Sequence, residues 1–279
     1  MKKIKAVQIT KAVMELVKRA NFSLRKDVWT ALRKAYVGEK NSRAKNILKA
    51  VLDNTAYAKK ENLAICQDTG MPIVFVQLGQ NLKIFGNLKA AINKGIEAGY
   101  KKYCLRNSIV ADPLLRGKSG FSPGIVHLDV VLGDKMKITL LPKGFGCENK
   151  SQLKMFKPTC GIEEIKKFII DTVKNAGADA CPPYVIGVGI GGTADYASLL
   201  AKKALLKKLT TYSLQLTTIQ QLEKDLLLAI NRLNIGPMGL GGQTTALAVN
   251  VLTYPTHIAG LPVAVNISCH ALRSASIIL

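Results

Sequence analysis

Tyr184-Val185-Ile186-Gly187-Val188-Gly189-Ile190-Gly191-Gly192 is an apolar run that becomes glycine-rich just before a helical pattern from Asp195 to Lys208. A strand, a glycine-rich segment and a helix in that order open a dinucleotide-binding unit, so the glycine spacing here decides which α/β fold is being read. The spacing does not fit G-x-G-x-x-G, and no acidic residue stands about twenty positions on to meet a ribose. The segment therefore reads as a strand leading into a helix, without a Rossmann site. Downstream, Gly236-Pro237-Met238-Gly239-Leu240-Gly241-Gly242-Gln243-Thr244-Thr245 resembles a phosphate loop only loosely, because Gln243 stands where the lysine belongs. Such loops offer unobstructed backbone N–H groups, or they are tight turns and nothing more.

Working outward, Ala246–Leu252 and Pro262–Ile267 read as strands, and 162–175 and 219–233 as helices. Ile125–Val131 pairs with residues 135–141 as a hairpin through Gly133-Asp134. A helix is expected from Asn87 to Tyr103. Leu63–Cys66 and Met71–Leu78 read as two strands split by the turn residues Asp68-Thr69-Gly70. Residues 143–149 follow as a loop. In the first sixty residues, Ile9, Val13, Leu16 and Val17, then Val28 and Leu32, then Ile47, Leu48, Val51 and Leu52 recur at helical intervals, with Ser23 as a cap. The expected fold is α/β in the mixed α+β sense: an N-terminal helical layer over residues 1–60, then a mixed sheet with flanking helices. With no repeats and no Pro/Ser linker, residues 1–279 are expected to form one unit.

With 48% hydrophobic and 21% charged residues among 279, the chain has ample material for a core. No run approaches the roughly 18 apolar residues of a membrane span, and Met1-Lys2-Lys3-Ile4-Lys5 lacks the apolar run of a secretory signal. No membrane partner and a cytoplasmic location are expected. The net charge of +22 would concentrate anions of any kind near the surface. Its lysines are scattered over helical faces and aromatics are 6% of the chain, so no basic stripe interleaved with stacking rings forms. A nucleic-acid partner is not expected.

The six cysteines, at 66, 104, 147, 160, 181 and 269, include no Cys-x-x-Cys pair and lack the dense pattern of a secreted disulfide scaffold. Cys66, Cys181 and Cys269 each lie beside an apolar β-like run and turn-forming residues. Three thiolates can hold three irons of a cubane cluster and leave the fourth open as a Lewis acid. Spacing alone leaves each of them equally readable as a small buried apolar side chain.

Several motifs in series then carry a family resemblance. Cys66-Gln67-Asp68-Thr69-Gly70, Leu105-Arg106-Asn107-Ser108, residues 144–149, Cys181-Pro182-Pro183-Tyr184 through Thr193, residues 236–242, and His257-Ile258-Ala259-Gly260-Leu261-Pro262 through Cys269 resemble, in order, the α subunit of iron–sulfur-dependent class I fumarate hydratase and L-tartrate dehydratase. The resemblance runs from about residue 10 to about residue 273. It implies a hydro-lyase that interconverts fumarate and (S)-malate on a 4Fe-4S cluster held by Cys66, Cys181 and Cys269; the alternatives are an L-tartrate dehydratase subunit or a non-catalytic iron–sulfur sensor. It implies substrate-binding roles for Gln67, Arg106 and Gly146, and catalytic roles for Asp68 in proton handling and for His257 as a residue that pairs with it. His127 and His270 are weaker candidates, the second as a donor to a cluster sulfur. The resemblance further implies that a β subunit supplies the catalytic base, in a hetero-oligomer of α/β pairs, since nothing before Leu279 resembles that part. Phe145 and Cys147 depart from the usual run of glycines followed by serine, which leaves the choice of dicarboxylate open.

Overall fold

The computed structural model describes residues 2–209 and 216–279. In chain order its elements are β1 (Lys2–Lys5), α1 (Ala6–Phe22), α2 (Lys26–Gly38), α3 (Ser42–Glu61), β2 (Met71–Gly79), β3 (Leu82–Phe85), α4 (Leu88–Lys102), β4 (Ile109–Asp112), β5 (Arg116–Gly120), β6 (Ile125–Val131), β7 (Met136–Lys143), α5 (Phe145–Glu148), β8 (Gln152–Phe156), α6 (Ile162–Ala176), β9 (Tyr184–Gly192), α7 (Ala194–Ala204), α8 (Thr218–Asn231), β10 (Ala246–Thr256), β11 (Leu261–Ser268) and β12 (Ala275–Ile278). The fold is mixed α/β, as its sequence patterns indicate. Two units emerge: the first from residues 1–25, 55–145 and 273–279, the second from 26–54 and 146–272. The helices of the first sixty residues all form, but α1 belongs to the first unit and α2 to the second, and Ser23 ends α1.

The first unit is built on a sheet of order β12-β7-β2-β6. Helices α1 and α4 bury one apolar stripe each, Ile9, Val13, Leu16 and Val17 against Ile92 and Ile96, and cover Val74, Val76, Ile138 and Leu140 of the sheet. Asn87 caps α4 by accepting the Ala90 N–H at 2.9 Å. The hairpin expected between β6 and β7 does not form. Instead β2 inserts between them, parallel to β6 and antiparallel to β7. The physical reason is burial: five consecutive residues of β2, Pro72 to Val76, are buried on both faces, as an interior strand requires, whereas β6 exposes Leu128 and Val130 and takes the edge. Leu63–Cys66 is not a strand either. Leu63 is exposed, and the Ile65 N–H is donated to the Asn21 carbonyl of α1 rather than to a strand, so the segment crosses as an irregular loop.

The second unit is built on a sheet of order β10-β9-β11-β8. Ile186 and Val188 of β9 and Val263, Val265 and Ile267 of β11 share a face with α6 and α8, while α7 packs on the other face against Ala264. The glycines of β9 are explained there. A Cβ at Gly187 or Gly189 would lie 2.1 Å from the carbonyl oxygen of Ala201 or Ala197, so their absence of side chains lets α7 lie directly on the strand. Among the described residues no helix is long and apolar enough to cross a membrane.

Candidate metal and substrate site

In the first unit the residues 65–70 form a loop whose shape is fixed by side chains. Asp68 accepts the Gly70 N–H on Oδ1 at 3.0 Å and the Phe145 N–H on Oδ2 at 2.9 Å. The first is the Asx turn its residue type favours; the second ties the loop to the segment after β7. Thr69, buried, accepts the Arg106 N–H on Oγ1 at 3.1 Å. From below, the Tyr100 hydroxyl on α4 reaches the carbonyls of Thr69 at 2.8 Å and Gly70 at 3.2 Å. Burial pushes the Tyr100 phenol above the ordinary tyrosine range, so it is a donor at any physiological pH. These bonds gather half-buried Cys66, exposed Gln67, half-buried Asp68 and exposed Arg106 around one loop of this unit. The Cys66 thiol sits 3.6 Å from the Gln67 amide oxygen.

In the second unit Cys181 precedes β9 and Cys269 follows β11, and these strands are antiparallel with Val185 opposite Ser268. Both cysteines therefore come to the same end of the sheet. The link is direct: the His270 backbone N–H donates to the Cys181 carbonyl at 3.3 Å, and His270 Nδ1 lies 3.1 Å from that oxygen. The glycine-rich segment 236–242 joins them, because the Met238 N–H donates to the Pro182 carbonyl at 2.9 Å and Gly239 is pressed against Ala178 so closely that a Cβ would clash at 2.3 Å. Gly146, exposed, lies near Asp179, and the neighbouring Cys147 thiol donates to the Ala180 carbonyl at 3.4 Å. Cys147 is buried and packs as a small apolar side chain.

His257 is placed differently. It sits exposed in the turn between β10 and β11, its Nδ1 accepting the Ala259 N–H at 3.2 Å. The eight residues of β11 separate that turn from Cys269, a span of about 26 Å. The second unit thus gathers Cys181 and Cys269 at one end of its sheet and His257 at the other. His127 stacks on Phe75 across β6 and β2.

Thiols are the donor type that an iron–sulfur cubane takes. All six cysteines are thiols, and Cys66, Cys181 and Cys269 are half-buried in loops, while Cys104 is exposed. At Cys160, burial and the Glu164 carboxylate push the thiol up, away from thiolate character. Among the described residues no three His, Cys, Asp or Glu side chains converge on one metal ion. Thiolates of a cubane each bind a different iron and need not converge on one atom.

Two buried groups escaped the sequence reading. Glu39, just after α2, accepts the Lys40, Asn41 and Gln243 N–H groups and so holds the glycine-rich segment of the second unit. Arg273, in the first unit, donates from Nη2 to the Asp68 carbonyl at 2.7 Å. A lone basic residue four positions after Cys269 carried no pattern by which its burial could be foreseen.

The profile of the fumarate hydratase (Fumerase) family matches residues 10–278. A Methanocaldococcus jannaschii protein provisionally named L(+)-tartrate dehydratase subunit alpha is 42% identical over 277 residues, covering 96% of each chain. The L(+)-tartrate dehydratase subunit alpha of Escherichia coli O157:H7 is 29% identical over 276 residues, covering 98% of this chain and 91% of its own. That of Escherichia coli K12 is 28% identical over 276 residues, with the same coverage.

Proposed function

Because this chain belongs to the fumarate hydratase (Fumerase) family, we propose that it is the α subunit of a hydro-lyase acting on a four-carbon hydroxy dicarboxylate. The names of its relatives favour L(+)-tartrate over the fumarate and (S)-malate pair. Cys66, Cys181 and Cys269 would hold a 4Fe-4S cluster, which when bound supplies an open iron as Lewis acid for the departing hydroxyl. The observation that carries the reading is the Thr69 link, which sets Gln67, Asp68 and Arg106 around the loop of Cys66.

The protein's part is positioning. Arg106 presents a planar fork that can take a substrate carboxylate bidentately, and Gln67 offers an amide to orient it. Gly146 leaves backbone open beside Cys147. Asp68 is assigned to proton handling at Oδ2, the oxygen that already accepts the Phe145 N–H. His257, a strand's length from Cys269, is not assigned a proton step beside the cysteines of its own unit. A β subunit would bring the base and further carboxylate-binding groups. The exposed apolar edge strand β6, with Leu128 and Val130, supports such a partner surface, since an uncovered edge of this kind invites pairing.

The test is anaerobic reconstitution with iron and sulfide, with and without the β partner. Oxaloacetate release from L(+)-tartrate and fumarate release from (S)-malate are then followed. Turnover of tartrate with the partner present is expected. A chain that loads a cluster yet turns over neither diacid with its partner would be a sensor, and the hydro-lyase reading would be abandoned.

A further inference from the structure

Arg273 is 3% exposed, and its guanidinium donates from Nη2 to the Asp68 main-chain carbonyl. Among the described residues its Nε and Nη1 donors have no partner, and no carboxylate pairs with it. A buried cation in that condition is costly unless an anion completes it. The open Nε–H lies on the edge it shares with Nη2 and the Nη1 donors lie on the far side, so the open groups meet separate acceptors.

Two chain positions say which anion. The carbonyl that Arg273 holds belongs to the residue two after Cys66, and Arg273 itself stands four residues after Cys269. A dicarboxylate arriving from solvent meets exposed Arg106 and Gln67, whereas a 3% exposed guanidinium is available to a group the protein itself encloses. Three thiolates and their sulfides form such an anion, and buried sulfur of this kind takes N–H donors readily. We propose that Arg273 is a positioning residue that donates an open guanidinium N–H to sulfur of the cluster proposed above, beside Cys66, balancing its charge and retaining its iron. The inference rests on that cluster assignment.

The experiment compares the chain with Arg273→Met and Arg273→Lys after anaerobic reconstitution. Iron retained against a chelator, the cluster's reduction potential, and far-UV circular dichroism of the apo form are measured on each. Arg273→Met is expected to lose iron about tenfold faster or more, the size usual for loss of a group that supports a metal ligand. Its potential should move to more negative values, because a positive donor that favours the reduced cluster has gone. Arg273→Lys keeps the charge without the fork and should fall between the two. If the methionine variant does not fold, the lysine variant carries the comparison alone, with faster iron loss expected and an unchanged rate overturning the proposal. Folded variants with wild-type iron retention and potential also overturn it. So does a raised KM for the diacid with an unaltered cluster, which would put the guanidinium on the substrate. A wild-type chain that takes up no cluster overturns the cluster assignment and this inference together, whereas a loaded wild type with indifferent variants overturns this inference only.

Discussion

At the scale of single residues, the loop 65–70 is held by groups whose removal has separable effects. Thr69 is 2% exposed, and Thr69→Val keeps its shape while removing the acceptor for the Arg106 N–H, so the N–H is left unpaired. About 1–2 kcal/mol of stability should be lost in urea unfolding, and KM for the diacid should rise as Arg106 loosens. Tyr100 gives a pH signature. Its folded-state pKa is raised above the ordinary 10.0 by burial, so its contribution is full below about pH 10. Above that pH the unfolded phenol ionises while the folded one does not, and stability falls. Tyr100→Phe should flatten this alkaline fall in a series of urea midpoints; an unchanged slope would mean that the phenol is not held neutral by the fold. For the thiols, Cys181→Ser should prevent stable cluster assembly, whereas Cys104→Ser and Cys160→Ser should leave iron and sulfide content intact. Equal losses in all three would sink the ligand assignment.

Among the elements, what was legible and what was not follow from the range of the interaction involved. Helices α4, α6 and α8 and strands β9, β10 and β11 could be read because an apolar period, a cap or a turn residue is local information. The glycines of β9 could be excluded as a dinucleotide loop from their spacing and the missing acidic residue downstream, but their purpose, the approach of α7, depends on a packing partner that no window of sequence contains. Gly189→Ala would place a Cβ 2.1 Å from the Ala197 carbonyl oxygen, and either α7 must lift or the sheet must bend. It is expected to cost several kcal/mol, beyond the usual overpacking range of about 1–3, seen as a collapse of the urea midpoint. The hairpin between β6 and β7 was misjudged for the complementary reason. Gly133-Asp134 is sound turn chemistry, yet the burial of β2 on both faces outweighs it and claims the place between the two strands. Of the candidate site, the cysteines and the Asp68 turn were visible as motifs. Arg273 and Glu39 were not, since burial of a charge is a property of the assembled chain.

For the whole molecule, the excess of 40 basic over 18 acidic residues is the largest physical asymmetry, and it has a kinetic consequence. A field of this sign raises the encounter rate of a dianion and is screened over about 8–10 Å at physiological salt. If the proposed diacid substrate is steered in this way, kcat/KM measured with the β partner should fall severalfold as ionic strength rises from about 0.01 to about 0.15 M. The turnover number kcat should change little, because steering acts before the bound complex forms. Nucleic acid would be attracted by the same charge, but without stacking rings or a contiguous stripe its retention should vanish at moderate salt. A kcat/KM independent of salt would mean that the lysines serve another surface, and an acidic face on the partner subunit would be the place to look, through the salt dependence of α/β association.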